Sequence, residues 1–174
     1  MVLGGVALDD VTLSGWAYGP PLGEAPVVMV VGGITATPLP FGDGVAREEG
    51  GHGEGWWPAL RAADLIDPAR VTVLCPAWPG NGSGWARFAE REPPLSVLDL
   101  ADLVALWLDG IGCAAPLTYV GASLGGMVGV ALAVRHPARV ERLARVRLGM
   151  RMATPAVIEY VVDPVASSGQ GASR

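Results

Sequence analysis

One serine of this chain stands in a sequence pattern that supports acyl transfer. Residues 121–125 read Gly-Ala-Ser-Leu-Gly, a G-x-S-x-G pattern with small residues two places before and two places after the serine. Small residues at those places permit a sharp turn, which lifts the hydroxyl of Ser123 clear of the backbone so that it can attack a carbonyl carbon. The alternative is a glycine-packed joint between two elements with an incidental serine.

The residues on either side of this motif predict the elements that would hold it. Residues 117–120 (Leu-Thr-Tyr-Val) have the composition of a strand, and the small residues 126–134 predict a helix that stops before Pro137. A strand, a sharp turn and a helix in this order are the context that the serine motif requires. The surroundings therefore favour the catalytic interpretation of Ser123.

A second strand supplies the other part of the predicted site. Residues 26–31 (Pro-Val-Val-Met-Val-Val) form an apolar run, which is typical of a strand buried on both faces, and two glycines follow it. Ile34 then begins a loop that would lie near the serine turn. We therefore predict an oxyanion hole made by the backbone N–H groups of Leu124 and Ile34.

The rest of the chain alternates strands with helices. Residues 11–18 predict a half-exposed antiparallel edge strand, residues 56–65 a helix and residues 71–75 a buried strand. A further helix over 96–108 begins with a serine cap and an aspartate three residues later. This alternation predicts an α/β protein with a mostly parallel, doubly wound sheet.

Composition excludes several classes of function. The net charge is -5 and 17% of the residues are charged, so the chain has no basic surface for nucleic acid. Cys75 and Cys113 stand apart from the histidines and from each other, which predicts neither a metal site nor a disulfide and fits the cytoplasm. Although no charged residue lies between Asp109 and Arg135, the glycines and β-formers within that span argue against a membrane helix.

Several motifs together resemble the homoserine O-acyltransferase family, whose members have the α/β-hydrolase fold. The likeness covers about residues 27–143 and combines Gly-Gly-Ile-Thr at 32–35, Gly-Trp-Trp at 55–57, Pro-Gly-Asn-Gly-Ser-Gly at 79–84 and the serine motif extended to 127. Arg-His-Pro-Ala-Arg-Val at 135–140 then resembles the exit of the family's helix.

The resemblance implies an enzyme of methionine biosynthesis that acylates homoserine. Ser123 would take an acyl group from acetyl-CoA or succinyl-CoA and pass it to the homoserine hydroxyl, with acyl-CoA as a co-substrate and no bound cofactor or metal. Small molecules would be its partners, and the family suggests a homodimer. A plain serine hydrolase or esterase on the same fold shares every motif and stays an alternative.

The sequence lacks a plausible histidine to activate the serine. In this fold the acid and the base follow the serine in the chain, yet His52 precedes it. His136 follows thirteen residues later along a helix, about 20 Å away at 1.5 Å per residue. Asp163 could imitate the acid, but no histidine follows it. We therefore expect the chain to be inactive alone, and a non-catalytic fragment is the third alternative.

The last residues depart from the family pattern. Arginines alternate from Arg145 to Arg151 where a buried strand is expected, so this strand should lie at a sheet edge or be mispatterned. A polar tail follows. We predict a partial α/β-hydrolase domain over 1–143 and an aberrant or flexible tail over 144–174, as in a truncated or frameshifted gene product.

Overall fold

A six-stranded sheet organises the chain. The computed structural model describes residues 2–3, 6–7, 13–42, 53, 55–62, 65–78, 95–147 and 157–162. The strands are β1 (Val2–Leu3), β2 (Val6–Ala7), β3 (Gly15–Tyr18), β4 (Val27–Val31), β5 (Thr72–Pro76), β6 (Leu117–Ala122), β7 (Val140–Arg147) and β8 (Val157–Val162). β1 pairs with β2, and the main sheet has the order β3-β5-β4-β6-β7-β8.

The four middle strands of the main sheet are parallel. β4 pairs in parallel with both β5 and β6, and β7 continues the parallel run on the far side of β6. The outer strands β3 and β8 are antiparallel to their neighbours. The predictions of a mostly parallel sheet, a buried β4 and an antiparallel edge strand near the N-terminus are confirmed.

Helices cover both faces of the sheet. They are α1 (Ala59–Ala62), α2 (Val97–Gly110) and α3 (Leu124–Arg135). Met29 of β4 packs into a buried cluster with residues of α2 and α3, whereas Val30, its neighbour, packs with Leu60 of α1. Because successive residues of a strand point to opposite faces, this division confirms the doubly wound arrangement.

The start of α2 follows the sequence signal. Ser96 accepts a hydrogen bond from the backbone N–H of Asp99, and the Asp99 carboxylate accepts one from the backbone N–H of Ser96. This reciprocal capping box satisfies two amides that the first turn would otherwise leave unpaired. The prediction of a capped helix at this place is confirmed.

Two elements differ from the predictions. The helix predicted over 56–65 begins only at Ala59, because Pro58 disfavours a helical conformation at the residue before it. The indole of Trp56 instead donates a hydrogen bond to the carbonyl of Thr37 and stacks on Trp57. The arginine-rich strand β7 is not at the edge, since β8 pairs with it. β7 runs from Val140 to Arg147, so residue 143, the predicted end of the domain, lies inside this strand.

Burial explains how β7 tolerates its arginines. Leu143 and Val146 are buried, while Arg142 is exposed. Arg145 is half-buried, and a Cβ placed on Gly126 of α3 would lie 2.8 Å from its Cγ. The aliphatic carbons of Arg145 therefore cover a glycine, which an arginine stem can do while its charged end stays hydrated.

An ion pair fastens the end of α3 to α2. Arg135 donates from Nε and Nη2 to the two carboxylate oxygens of Asp102, at 2.8 and 2.7 Å. The ring nitrogen Nε2 of His136 lies 2.8 Å from Oδ1 of the same carboxylate. The hydrogen bonds from Arg135 hold the pKa of Asp102 below its usual range.

Asp102→Asn should therefore change how stability depends on pH. A lowered pKa in the folded state adds stability above the unfolded-state value of about 3.9, and this contribution is lost as the pH falls through the folded-state value. The Tm difference between the wild-type chain and Asp102→Asn should be largest near neutral pH and shrink in acid. Glu141→Gln, at an exposed carboxylate, is the control; an equal, pH-independent loss in both variants would contradict the expectation.

Candidate active site

Ser123 occupies a strained turn between β6 and α3. Its φ is 53° and its ψ is -119°, and among the described residues it is the only non-glycine residue with a positive φ. Such a conformation costs about 1–3 kcal/mol and persists only where the surroundings impose it. The serine is exposed at the N-terminus of α3, as the motif predicts.

Two glycines allow the turn to be this tight. A Cβ on Gly121 would lie 2.6 Å from the carbonyl oxygen of Gly125. A Cβ on Gly125 would lie 2.3 Å from the carbonyl oxygen of Val31, at the end of β4. No real side chain fits at these distances, so the turn and β4 can approach one another only with glycine at both places.

The loop after β4 lies directly against the serine. A Cβ on Gly33 would be 3.5 Å from Cβ and 3.7 Å from Oγ of Ser123. The carbonyl of Gly32 accepts the backbone N–H of Gly125 at 3.0 Å, which joins this loop to the first turn of α3. The two segments that the sequence assigned to one site are therefore brought together.

The predicted oxyanion donors flank this contact. Leu124 is the first residue of α3, immediately after the serine. Ile34 follows Gly33 in the loop, and its side chain is 73% exposed. Both residues thus belong to the segments that meet at Ser123. That their N–H groups stabilise an oxyanion stays a prediction.

A buried tyrosine supports the turn from beneath. Tyr119 of β6 is fully buried, and its hydroxyl donates to the carbonyl of Gly125 at 2.9 Å. Its ring fills the space above Gly129, where an added Cβ would lie 2.5 Å from Cε1. Burial raises the pKa of the Tyr119 phenol, so the hydroxyl keeps the proton that it donates.

The structure places no base beside Ser123 among the residues that it describes. His136 follows the last residue of α3, whereas Ser123 precedes the first, so the length of the helix separates them by about 20 Å. His52 and Asp163 lie outside the described residues.

Other reactive centres are absent from the described part of the chain. Burial raises the pKa of the Cys75 thiol and that of the Cys113 thiol, which disfavours the thiolate at both. No group of three or more metal-binding side chains occurs among these residues. No helix among them is both long enough and apolar enough to cross a membrane.

Comparison with known proteins decides the family. The profile of the alpha/beta hydrolase fold matches residues 26–166. The chain belongs to this family. Over 125 residues it is 37% identical to a homoserine O-succinyltransferase of Xanthomonas campestris pv. campestris, covering 71% of this chain and 31% of that protein. Over 145 residues it is 32% identical to a homoserine O-acetyltransferase of Deinococcus radiodurans, covering 79% and 39%.

A solved structure of a homoserine O-acetyltransferase is also similar to this chain. The crystal structure of homoserine O-acetyltransferase from Bacillus anthracis superposes with a TM-score of 0.59 at 25% identity, over 74% of this chain and 39% of that one. The resemblance to homoserine O-acyltransferases is thus confirmed. The chain spans between 31% and 39% of the length of the two curated relatives described above.

The sequence patterns do not predict the contact of one residue near the site, Trp78. Trp78 lies two residues after the end of β5 and is buried. Its indole N–H donates to the carbonyl of Gly32 at 3.1 Å. A tryptophan in an otherwise polar, glycine-rich loop is a weak signal of this contact, because a buried indole N–H usually has a partner. The identity of that partner follows only from the fold.

Proposed function

We propose that this chain carries the nucleophile of a homoserine O-acyltransferase, and that Ser123 is that nucleophile. The observation that supports this most is the strained, exposed turn of Ser123 against Gly33. A serine held in this way at the end of a parallel strand can reach a carbonyl carbon in the cleft beside the sheet. The substrates in this proposal are taken from the names of the similar proteins.

The first half-reaction would form an acyl-serine. Oγ of Ser123 attacks the thioester carbonyl carbon of acetyl-CoA or succinyl-CoA, and the carbonyl oxygen becomes an oxyanion held by the N–H groups of Leu124 and Ile34. The carbon–sulfur bond then breaks, and coenzyme A leaves as a thiol once it takes up the proton that the serine lost. An ester of Ser123 remains.

The second half-reaction would transfer the acyl group to homoserine. The homoserine hydroxyl attacks the acyl-serine carbonyl, the oxyanion forms again at the same place, and Ser123 regains its proton as the product leaves. No bound cofactor takes part. The substrates in this proposal rest on the names of the similar proteins. A cytoplasmic location and a homodimer stay predictions from the sequence and its resemblance.

Without a base at Ser123 both half-reactions would be slow, and the second, which cleaves the less reactive oxygen ester, would be the slower. A positioned base contributes roughly 10²–10⁴-fold to such proton transfers, and the described residues place none at Ser123. With one member of a triad removed, enzymes of this type keep about 10³–10⁴-fold of catalysis over water from the oxyanion hole and binding. We therefore expect the chain alone to acylate slowly and to turn over negligibly.

Transfer from a preformed acyl-enzyme tests the acceptor. The chain is acylated with acetyl-CoA, freed of excess donor, and incubated with homoserine and imidazole as an external base. Because imidazole can act as the base that the described residues do not place at Ser123, release of O-acetylhomoserine should become at least about tenfold faster than without imidazole. The measurement is mass spectrometry of the product and of the intact protein.

The outcomes separate the candidate functions. Omission of homoserine gives the rate of hydrolysis, and Ser123→Ala shows whether any product arises without the acyl-serine. Equal loss of the acyl group with and without homoserine would identify a serine hydrolase and contradict the transferase proposal. Product formed equally by Ser123→Ala would exclude Ser123 as the nucleophile.

A further inference from the structure

Trp78 binds the same carbonyl oxygen as the serine turn. Its indole N–H donates to the oxygen of Gly32 at 3.1 Å, and the backbone N–H of Gly125 donates to that oxygen at 3.0 Å. The side chain of Trp78 is 4% exposed, so water does not compete strongly for this bond. Two donors occupy both acceptor positions of the carbonyl, and three segments of the chain meet at one atom.

This carbonyl controls the orientation of the loop beside Ser123. The peptide group that contains the Gly32 oxygen also contains the N–H of Gly33, so fixing one fixes the other. The next peptide group joins Gly33 to Ile34, and its oxygen accepts the backbone N–H of Ala36 at 3.0 Å. The direction of the Ile34 N–H is therefore set by hydrogen bonds on both sides of Gly33.

We infer that Trp78 is a positioning residue that holds the Gly33–Ile34 peptide at the distance from Ser123 that an oxyanion requires. The inference rests on the proposed function of Ser123. Ile34 is exposed and packs little, so the loop depends on its hydrogen bonds for its place. An error of about 1 Å in such a place can cost roughly 10²-fold in rate.

Trp107 provides a matched comparison in the same core. It is 7% exposed and belongs to the same buried cluster as Trp78. The donors to the Gly32 carbonyl among the described residues are Trp78 and Gly125, so the indole of Trp107 does not hold this loop. Replacement by phenylalanine at either place removes the same atoms from the same cluster, but only Trp78→Phe removes a donor to Gly32.

Amide hydrogen exchange tests the positioning without relying on catalysis. In Trp78→Phe the amide of Gly125 should exchange at least about tenfold faster than in the wild-type chain, because the carbonyl that it binds is less fixed. In Trp107→Phe the exchange at Gly125 should change less than about twofold. In the wild-type chain the indole N–H of Trp78 should exchange far more slowly than that of Trp16, which is 43% exposed.

Binding of benzeneboronic acid tests the consequence at the serine. Oγ of Ser123 adds to the trigonal boron, the serine proton is released to solvent, and a negatively charged tetrahedral boronate imitates the oxyanion intermediate. We expect the dissociation constant to rise about tenfold in Trp78→Phe and less than about twofold in Trp107→Phe, as loss of oxyanion stabilisation predicts.

The two measurements distinguish a failure of the inference about Trp78 from a failure of the proposed function of Ser123. If Trp78→Phe matches Trp107→Phe in both, or if the wild-type indole N–H of Trp78 exchanges as fast as that of Trp16, the inference is overturned. Should Trp78→Phe not fold, the wild-type indole measurement still decides. Equal boronate binding by the wild-type chain and Ser123→Ala would contradict the proposed function instead, while exchange at Gly125 would still test the role of Trp78.

Discussion

Gly125→Ala is expected to destabilise the fold by about 3 kcal/mol, at the upper end of what one added methyl group costs in a packed interior. The new Cβ would lie 2.3 Å from the carbonyl oxygen of Val31 and 2.7 Å from that of Gly32. Both obstacles are backbone atoms at the end of β4, so a rotamer change cannot relieve the contact. Urea unfolding of the variant and the wild-type chain measures the loss.

The same change at Gly110 is the control. Gly110 ends α2, has no positive φ, and a Cβ there meets nothing within 4 Å. Gly110→Ala should therefore be neutral or stabilise by about 0.5 kcal/mol, because alanine loses less backbone entropy on folding. Similar stabilities of the two variants would contradict the close approach of α3 to the end of β4.

The sequence was sufficient for the elements whose signals are local. β4 is a continuous apolar run, and such a run between loops indicates a central strand of a parallel sheet. Helix α2 has both a capping box and an apolar stripe. The serine turn was predicted from two glycines and the elements around it, since its conformation depends mainly on those neighbours.

The sequence was insufficient where distant segments compete or cooperate. The predicted helix includes Trp56, but in the structure the helix begins at Ala59 and the Trp56 indole bonds to Thr37, a partner nineteen residues away. The arginines of β7 predict an edge strand or a mispatterned one, but the strand has a partner on each side and the aliphatic carbons of Arg145 lie over Gly126 of α3. Trp78 bonds to Gly32 across forty-six residues, a contact that no local pattern reveals.

The isolated chain is expected to gain a single acyl group at Ser123 and to keep it. Attack by the serine on a thioester is slow without a base, but removal of the acyl group by water or homoserine is slower still, because an oxygen ester is less reactive than a thioester and the departing serine oxygen needs a proton. The acyl-enzyme should therefore accumulate over time instead of turning over. Ser123→Ala removes the attacking oxygen and should lose the adduct completely.

Intact-protein mass spectrometry after incubation with acetyl-CoA or succinyl-CoA tests the assignment of Ser123 most directly. The account predicts one acetyl or succinyl group per folded chain, mapped to the peptide that contains Ser123 and absent from Ser123→Ala. The donor that reacts faster identifies the acyl group that the site prefers. An adduct of equal size in Ser123→Ala, or a folded wild-type chain that gains no mass with either donor, would contradict the account.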